Sequence, residues 1–186
     1  MNKFKIAALV IAAGTTSLGA MVTSAAPAPV MVGGAPMYPT KNIIENAVNS
    51  KDHTTLVAAV KAAGLVDTLQ GPGPFTVFAP TDAAFRKLPA DTVPTLLKPE
   101  NKAQLTSVLT YHVVPGRLSG ATLRKDVMKG HGKAMLTTVQ GEQLTVTAKG
   151  RMLMITDSKG QVAKVTIADV NQSNGVIHVI DTVLLP

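Results

Sequence analysis

The chain reads as an α+β domain, and three features of the sequence say so. Up to about Gly116 the apolar residues recur at helical spacing, whereas beyond it they alternate with polar ones over short runs. Clusters of proline and glycine cut the chain into short pieces. Helical pieces followed by strand pieces make α+β rather than a doubly wound sheet.

Each element has its own reason. Asn42 with Glu45 three residues later is a capping-box start for a short helix through Val48. A second helix follows Asp52 or Thr54, with Leu56, Val57, Val60 and Ala63 on one face and Gly64 as its stop. Gly71-Pro72-Gly73-Pro74 breaks the chain. Phe75 to Ala79 is a strand ending at Pro80, and Thr81 caps a helix that turns Ala84, Phe85 and Leu88 inward. Pro89, Pro94 and Pro99 confine the next helical segment to Val93–Leu97. Asn101 then caps a helix carrying Leu105, Val108, Leu109 and His112 at i, i+3, i+4 and i+7.

In the second half, Leu144, Val146 and Ala148 alternate with polar neighbours, and Lys149-Gly150 turns the chain into a strand over 151–156. Asp157-Ser158-Lys159-Gly160 turns it again into a strand over 162–170. Asn174-Gly175, a strong hairpin dipeptide, precedes the apolar run Val176–Leu185. Phe75 and Phe85 are the expected core anchors, and Gly175 is expected at a turn position needing positive φ.

Composition narrows the function. With 186 residues, 46% hydrophobic and 16% charged, the chain is globular and of single-domain length. The absence of cysteine excludes disulfides, thiolate metal sites and cysteine nucleophiles. Four Phe, two Tyr and no Trp argue against a reader of single-stranded nucleic acid, which needs aromatic platforms. A net charge of +7 speaks to solubility and non-specific association.

Residues 1–26 have the pattern of a cleaved secretory signal peptide: Lys3 and Lys5, then the apolar run Ile6 to Ala13, then Thr23-Ser24-Ala25-Ala26 as a small-residue cleavage site. Gly14, Thr15, Thr16 and Ser17 interrupt the run well short of the ~20 apolar residues a spanning helix needs. A secreted or periplasmic location follows. Residues 27–40 hold four prolines and two glycines and read as an extended, flexible leader. The folded domain is expected over 41–186.

Three stretches carry a resemblance: Phe75-Thr-Val-Phe-Ala-Pro-Thr-Asp-Ala-Ala-Phe85, Tyr111-His112-Val-Val-Pro115-Gly116, and Asn174-Gly175-Val-Ile-His178-Val-Ile-Asp181-Thr-Val-Leu-Leu-Pro186. In order and spacing they resemble the boxes of the fasciclin-like (FAS1) domain family. The resemblance implies a wedge of two antiparallel sheets with helices along one side. It also implies a non-enzymatic adhesion or matrix-binding role, for extracellular protein or polysaccharide partners and without a cofactor. Tyr111 and His112 match a motif tied to integrin recognition in adhesion members. Asp169 is the one position retained from a second adhesion motif, where this chain reads Ile167-Ala168-Asp169-Val170-Asn171. These three are the candidate binding residues. The apolar face that carries His112 supports a second reading, a hydrogen-bonded core histidine.

Other chemistries are less well supported. His112 and His178 with Asp82, Asp169 and Asp181 invite a triad, but no Gly-x-Ser-x-Gly elbow accompanies them. Met128, His131 and Met135, with Met152 and Met154, are a thioether–imidazole set suited to Cu(I), so a periplasmic small-ligand or copper-binding protein is the alternative. The stretch around them reads as a Lys- and Gly-rich loop. Its Arg117, Arg124, Lys125, Lys129, His131 and Lys133 are the main basic concentration, suited to anionic polysaccharide or lipid headgroups.

Overall fold

The structure is a computed structural model and describes residues 28–186; the expected signal peptide lies outside the described residues. A hairpin of β1 (Val30–Val32) and β2 (Ala35–Met37) comes first. Helices α1 (Ile43–Ala47), α2 (Thr54–Ala63) and α3 (Val66–Gln70) lead to strand β3 (Phe75–Pro80). Then come α4 (Asp82–Phe85), α5 (Thr92–Leu96), a 3-10 turn at Pro99–Asn101, α6 (Lys102–Tyr111) and β4 (Val113–Pro115). Helix α7 (Gly120–Lys129) precedes β5 (Lys133–Thr137), β6 (Gln143–Lys149), β7 (Met152–Thr156), β8 (Val162–Gln172) and β9 (Gly175–Ile180).

Local chemistry sets most helix ends. Asn42 and Glu45 form the full capping box of α1, and Gly64 ends α2 in the left-handed conformation at φ 73°. Helix α2 is capped from a distance: the Asp82 carboxylate accepts from the Thr54 hydroxyl (2.6 Å) and from the N–H groups of Thr55 (2.8 Å) and Thr54 (3.3 Å). Burial alone would raise the Asp82 carboxyl, but these donors bring it below its ordinary value.

Seven strands form one ladder in the order β4-β3-β9-β8-β7-β6-β5. Long β8 belongs to both halves: Val162–Lys164 pair with β7 and Val165–Gln172 with β9, with register shifts between Val165 and Val170. The bend at these irregularities opens the ladder into a wedge. The far edges approach each other where the Val139 N–H donates to the Val113 carbonyl (2.8 Å). All pairs are antiparallel except β3–β9, which runs parallel from Phe75↔Gly175 to Pro80↔Ile180. Helices α1, α2 and α6 pack one core against β3 and β9, with Leu56, Val60, Leu105, Leu109, Val77 and Val179 in it. A second core fills the wedge, where Phe78, Tyr111, Leu123, Leu144, Ile155 and Ile180 meet.

The structure departs from the sequence reading in five places. The supposed leader is a hairpin, with Gly33 and Gly34 at φ 58° and 74° and with Val32 and Met37 each 3% exposed in the first core. Prolines masked it, because Pro36 is harmless in a short two-stranded ribbon whose edges are open. Residues 119–129 are not a loop: the Ser119 hydroxyl accepts the Thr122 N–H, and Leu123 and Val127 bury the narrow stripe of α7. Helices and strands therefore interleave, with β3 and β4 in the first half and α7 in the second. Phe78 is the fully buried phenylalanine of its box, while Phe75 and Phe85 are half-buried. Gly175 does not have positive φ; a Cβ there would run into the Phe75 carbonyl of the neighbouring strand.

If the hairpin belongs to the folded unit, Met37→Ala should destabilise by about 2 kcal/mol, the low end for a buried methionine. Urea melts that show no change would detach it.

Candidate functional site

The three candidate residues do not converge. Tyr111 and His112 close α6 and bond to the β6 and β7–β8 segments and to Leu184, whereas Asp169 sits at the bulge of β8 and bonds to the start of α7.

Tyr111 is fully buried in the wedge. Its hydroxyl accepts the Ser158 N–H (2.9 Å) and points at the Gln143 carbonyl (3.4 Å), bridging the β7–β8 turn to β6. Burial raises its pKa. His112 is 3% exposed. Its Nδ1–H donates to the Val108 carbonyl (2.8 Å) one turn back, and its Nε2 accepts the Leu184 N–H (3.0 Å). That pattern requires the neutral ring. Burial accordingly pulls its pKa down to about 4, against weaker opposing effects of the Val108 bond and Asp157. The ring ties the end of α6 to the last residues of the chain.

Asp169 takes φ 60°, one of two non-glycine residues with positive φ among the described residues. Its Oδ1 accepts the Gly120 N–H (2.6 Å), the first amide of α7, where a carboxylate also suits the helix dipole. Its own N–H donates to His178 Nδ1 (3.3 Å), and His178 Nε2–H donates to the Leu118 carbonyl (2.8 Å). His178 is thus neutral in the opposite tautomer to His112, and burial lowers its pKa. It stacks on Phe78, its partner across β3–β9, with centroids 5.8 Å apart. The Asp–His arrangement that invited a triad is bonded through the aspartate's backbone, not its carboxylate.

Sequence reasoning missed the roles of two polar side chains, one buried and one partly buried. Asn46 is fully buried; its side-chain amide pairs with the Tyr38 backbone in both directions (3.0 and 2.8 Å) and donates to the Gln172 side chain. Asn174 accepts the Ile43 N–H and donates to the Leu69 and Gly71 carbonyls, joining the terminal box to α1 and α3. Apart from Tyr38, these partners lie over a hundred residues away, and nothing local in the sequence signals them.

The copper set is dispersed. Met128 and Met135 are 73% and 58% exposed, and β6 lies between the strands of Met135 and Met154, about 10 Å apart at two strand spacings. No group of three or more His, Cys, Asp or Glu suited to a metal occurs among the described residues. For a small ligand there is an apolar cavity of about 60 Å³ under α2 and α6, lined by Leu56, Val60, Leu109 and Val77 among others. An apolar cavity that holds benzene measures about 150 Å³, so this one takes less than a single ring.

With ladder, boxes and polar contacts in place, comparison with known proteins is direct. A family profile described as Fasciclin domain matches residues 51–186, and the chain belongs to the fasciclin domain family. Among its relatives, Protein sll1483 of Synechocystis sp. is 51% identical over 146 residues, covering 77% of this chain and 73% of that protein. Immunogenic protein MPB70 of Mycobacterium bovis is 40% identical over 145 residues, covering 75% and 66%. Transforming growth factor-beta-induced protein ig-h3 of Sus scrofa is 40% identical over 136 residues, 70% of this chain but 17% of that protein. In three dimensions the chain resembles a FAS1 domain pair from the insect cell adhesion molecule Fasciclin I, with TM-score 0.70 and 22% identity, over 78% of this chain and 51% of that one. No helix among the described residues is long and apolar enough to cross a membrane.

Proposed function

We propose that the protein is a secreted or periplasmic, non-catalytic interaction module that binds extracellular protein or polysaccharide in an adhesion role. The signal-peptide pattern of residues 1–26 and the adhesion proteins among the family's members support the location and the role. The observation that carries the non-catalytic reading is where the chemistry-bearing side chains are engaged. Both ring nitrogens of His112 and of His178, Oδ1 of Asp169 and both oxygens of Asp82 are bonded to main-chain groups, with the Thr54 hydroxyl as one side-chain partner of Asp82. Groups bound this way hold a fold and are not free to move protons for a substrate.

Tyr111 and His112 accordingly act as a lock at the α6–β4 junction and not as contacts for a partner. His112→Ala strands the Leu184 N–H and the Val108 carbonyl and is expected to cost about 1–3 kcal/mol. Partner binding measured well below the melt should survive. A His112→Ala protein of unchanged stability that no longer binds would make the pair a recognition site.

The whole reading is tested by displaying glycans and matrix proteins in an array against the exported chain. Specific, saturable binding to one class is expected. An array blank under all conditions, alongside turnover of a screened substrate, would overturn it.

A further inference from the structure

The basic concentration seen in the sequence between Arg117 and Lys133 is only part of a larger surface. Strands β5, β6, β7 and β8 turn one set of side chains into the wedge and the other outward. Their register aligns the outward set into rows across the sheet. One row is Lys133–Thr147–Met154–Lys164 and the next is Met135–Thr145–Thr156–Val162. Lys149, opposite Met152, extends the first row's side of the face. Four strands at ~4.8 Å spacing separate Lys133 from Lys164 by roughly 14 Å.

Three properties of this face point to one kind of partner. First, its rows hold no carboxylate: every outward position is Lys, Thr, Met or Val, and the first row ends beside Asp181, whose Oδ1 accepts the Lys164 N–H (2.9 Å). Second, the side chains of Lys133, Lys149 and Lys164 make no ion pair among the described residues, and the Asp181 carboxylate at the border is paired with Lys87 instead (3.6 Å). The Arg124 guanidinium reaches the Arg151 carbonyl (3.4 Å) at the β6–β7 turn, at the end of the face beyond Lys149. Third, the face is a platform of hydroxyls and thioethers. Met135 is 58%, Met152 46% and Val162 46% exposed, and the Thr145 hydroxyl donates to the Met135 sulfur (3.3 Å).

We propose that the outward face of β5–β8 is the docking site for a linear polyanionic polysaccharide lying across the strands between Lys133 and Lys164. This rests on the interaction-module reading above and names its partner class and its place. The lysines meet the polymer's carboxylate or sulfate groups, while Thr hydroxyls and Met side chains meet the hydroxyl and C–H faces of the sugar rings. A bilayer is the poorer fit. Insertion uses an apolar side, often with Trp or Phe, and the rows of this face interleave Lys and Thr with Met and Val and hold no aromatic residue.

The test uses the exported chain with alginate, dextran sulfate, neutral dextran and phosphatidylglycerol vesicles as probes. Both polyanions should bind and neutral dextran should not, with affinity falling as salt rises. The double variant Lys133→Glu/Lys164→Glu should weaken polyanion binding roughly tenfold or more. Lys51→Glu/Lys61→Glu, equal in charge but on exposed positions of the α1–α2 turn and of α2, should leave it within about twofold. Both pairs are exposed, and equal urea midpoints confirm intact folds. Equal losses in the two variants would reduce the effect to net charge and overturn the site. Vesicle binding without polymer binding would overturn it in favour of a membrane. If the array identifies a partner that the Lys133→Glu/Lys164→Glu protein binds normally, this site is refuted and the interaction-module reading stands.

Discussion

Phe78→Ala is expected to destabilise the domain by about 3–5 kcal/mol, the range for removing a buried aromatic ring. Phe78 is fully buried in the wedge core and stacked on His178. Its truncation removes ring contacts from β3 and β9 at once, and close-packed strands on both sides leave little room for collapse. Phe85→Ala should cost only about 1 kcal/mol, since a half-buried ring loses less area. Urea denaturation of the two variants checks this ordering. An equal or larger loss for Phe85→Ala would shift the anchor of the box from the strand to α4.

The second large effect is acid lability. Three of the four histidines, His53, His112 and His178, are buried, and burial lowers the pKa of each. The folded state therefore resists protons that the unfolded chain accepts. Above the ordinary histidine pKa of 6.5 both states are neutral and stability is full. Between pH 6.5 and the folded value of about 4, protons bind the unfolded chain and stability falls. His112 alone contributes a loss of about 3 kcal/mol across that window. The structural cause is plain: a protonated ring would present an N–H to the Leu184 N–H. His53 adds to the trend, since its Nδ1 meets the Ser50 hydroxyl (2.8 Å) while its Nε2 has no partner. Urea midpoints at pH 7.5, 5.5 and 4.5 should fall monotonically, and His112→Gln should flatten the curve. A midpoint independent of pH down to 4.5 would contradict burial of neutral rings.

Most of what is legible in the sequence has a local cause. The capping box at Asn42–Glu45, the Gly64 stop and the turns before β7 and β8 depend on residues within a few positions, and each is found in the structure. The β1–β2 hairpin was also local, two short apolar runs about Gly33-Gly34, but proline content outweighed the dipeptide in the reading. Helix α7 has only Leu123 and Val127 as its buried hydrophobic stripe, too few to stand out among Lys, Arg and Asp. Long-range features had no such trace. That Asp82 caps α2, that Asn174 holds α1, and that β3 runs parallel to β9 are products of closure. The candidate site divides the same way. The motif residues could be singled out, but their burial and separation, and the alignment of Lys133 with Lys164, emerge only once four strands are in register.

The position of β9 has a consequence for how the protein comes into being. It is the last of the described strands in chain order, yet it lies between β3 and β8, whose partner segments are separated from it by very different lengths of chain. Until Gly175–Ile180 have been made, β3 and β8 each expose an unpaired inner edge and neither core can close. The domain is thus kept open until its last described strand is in place. The same delay makes truncated products hazardous, because two vacant inner edges are templates for intermolecular pairing. Insertion of β9 between them is what commits both cores to close.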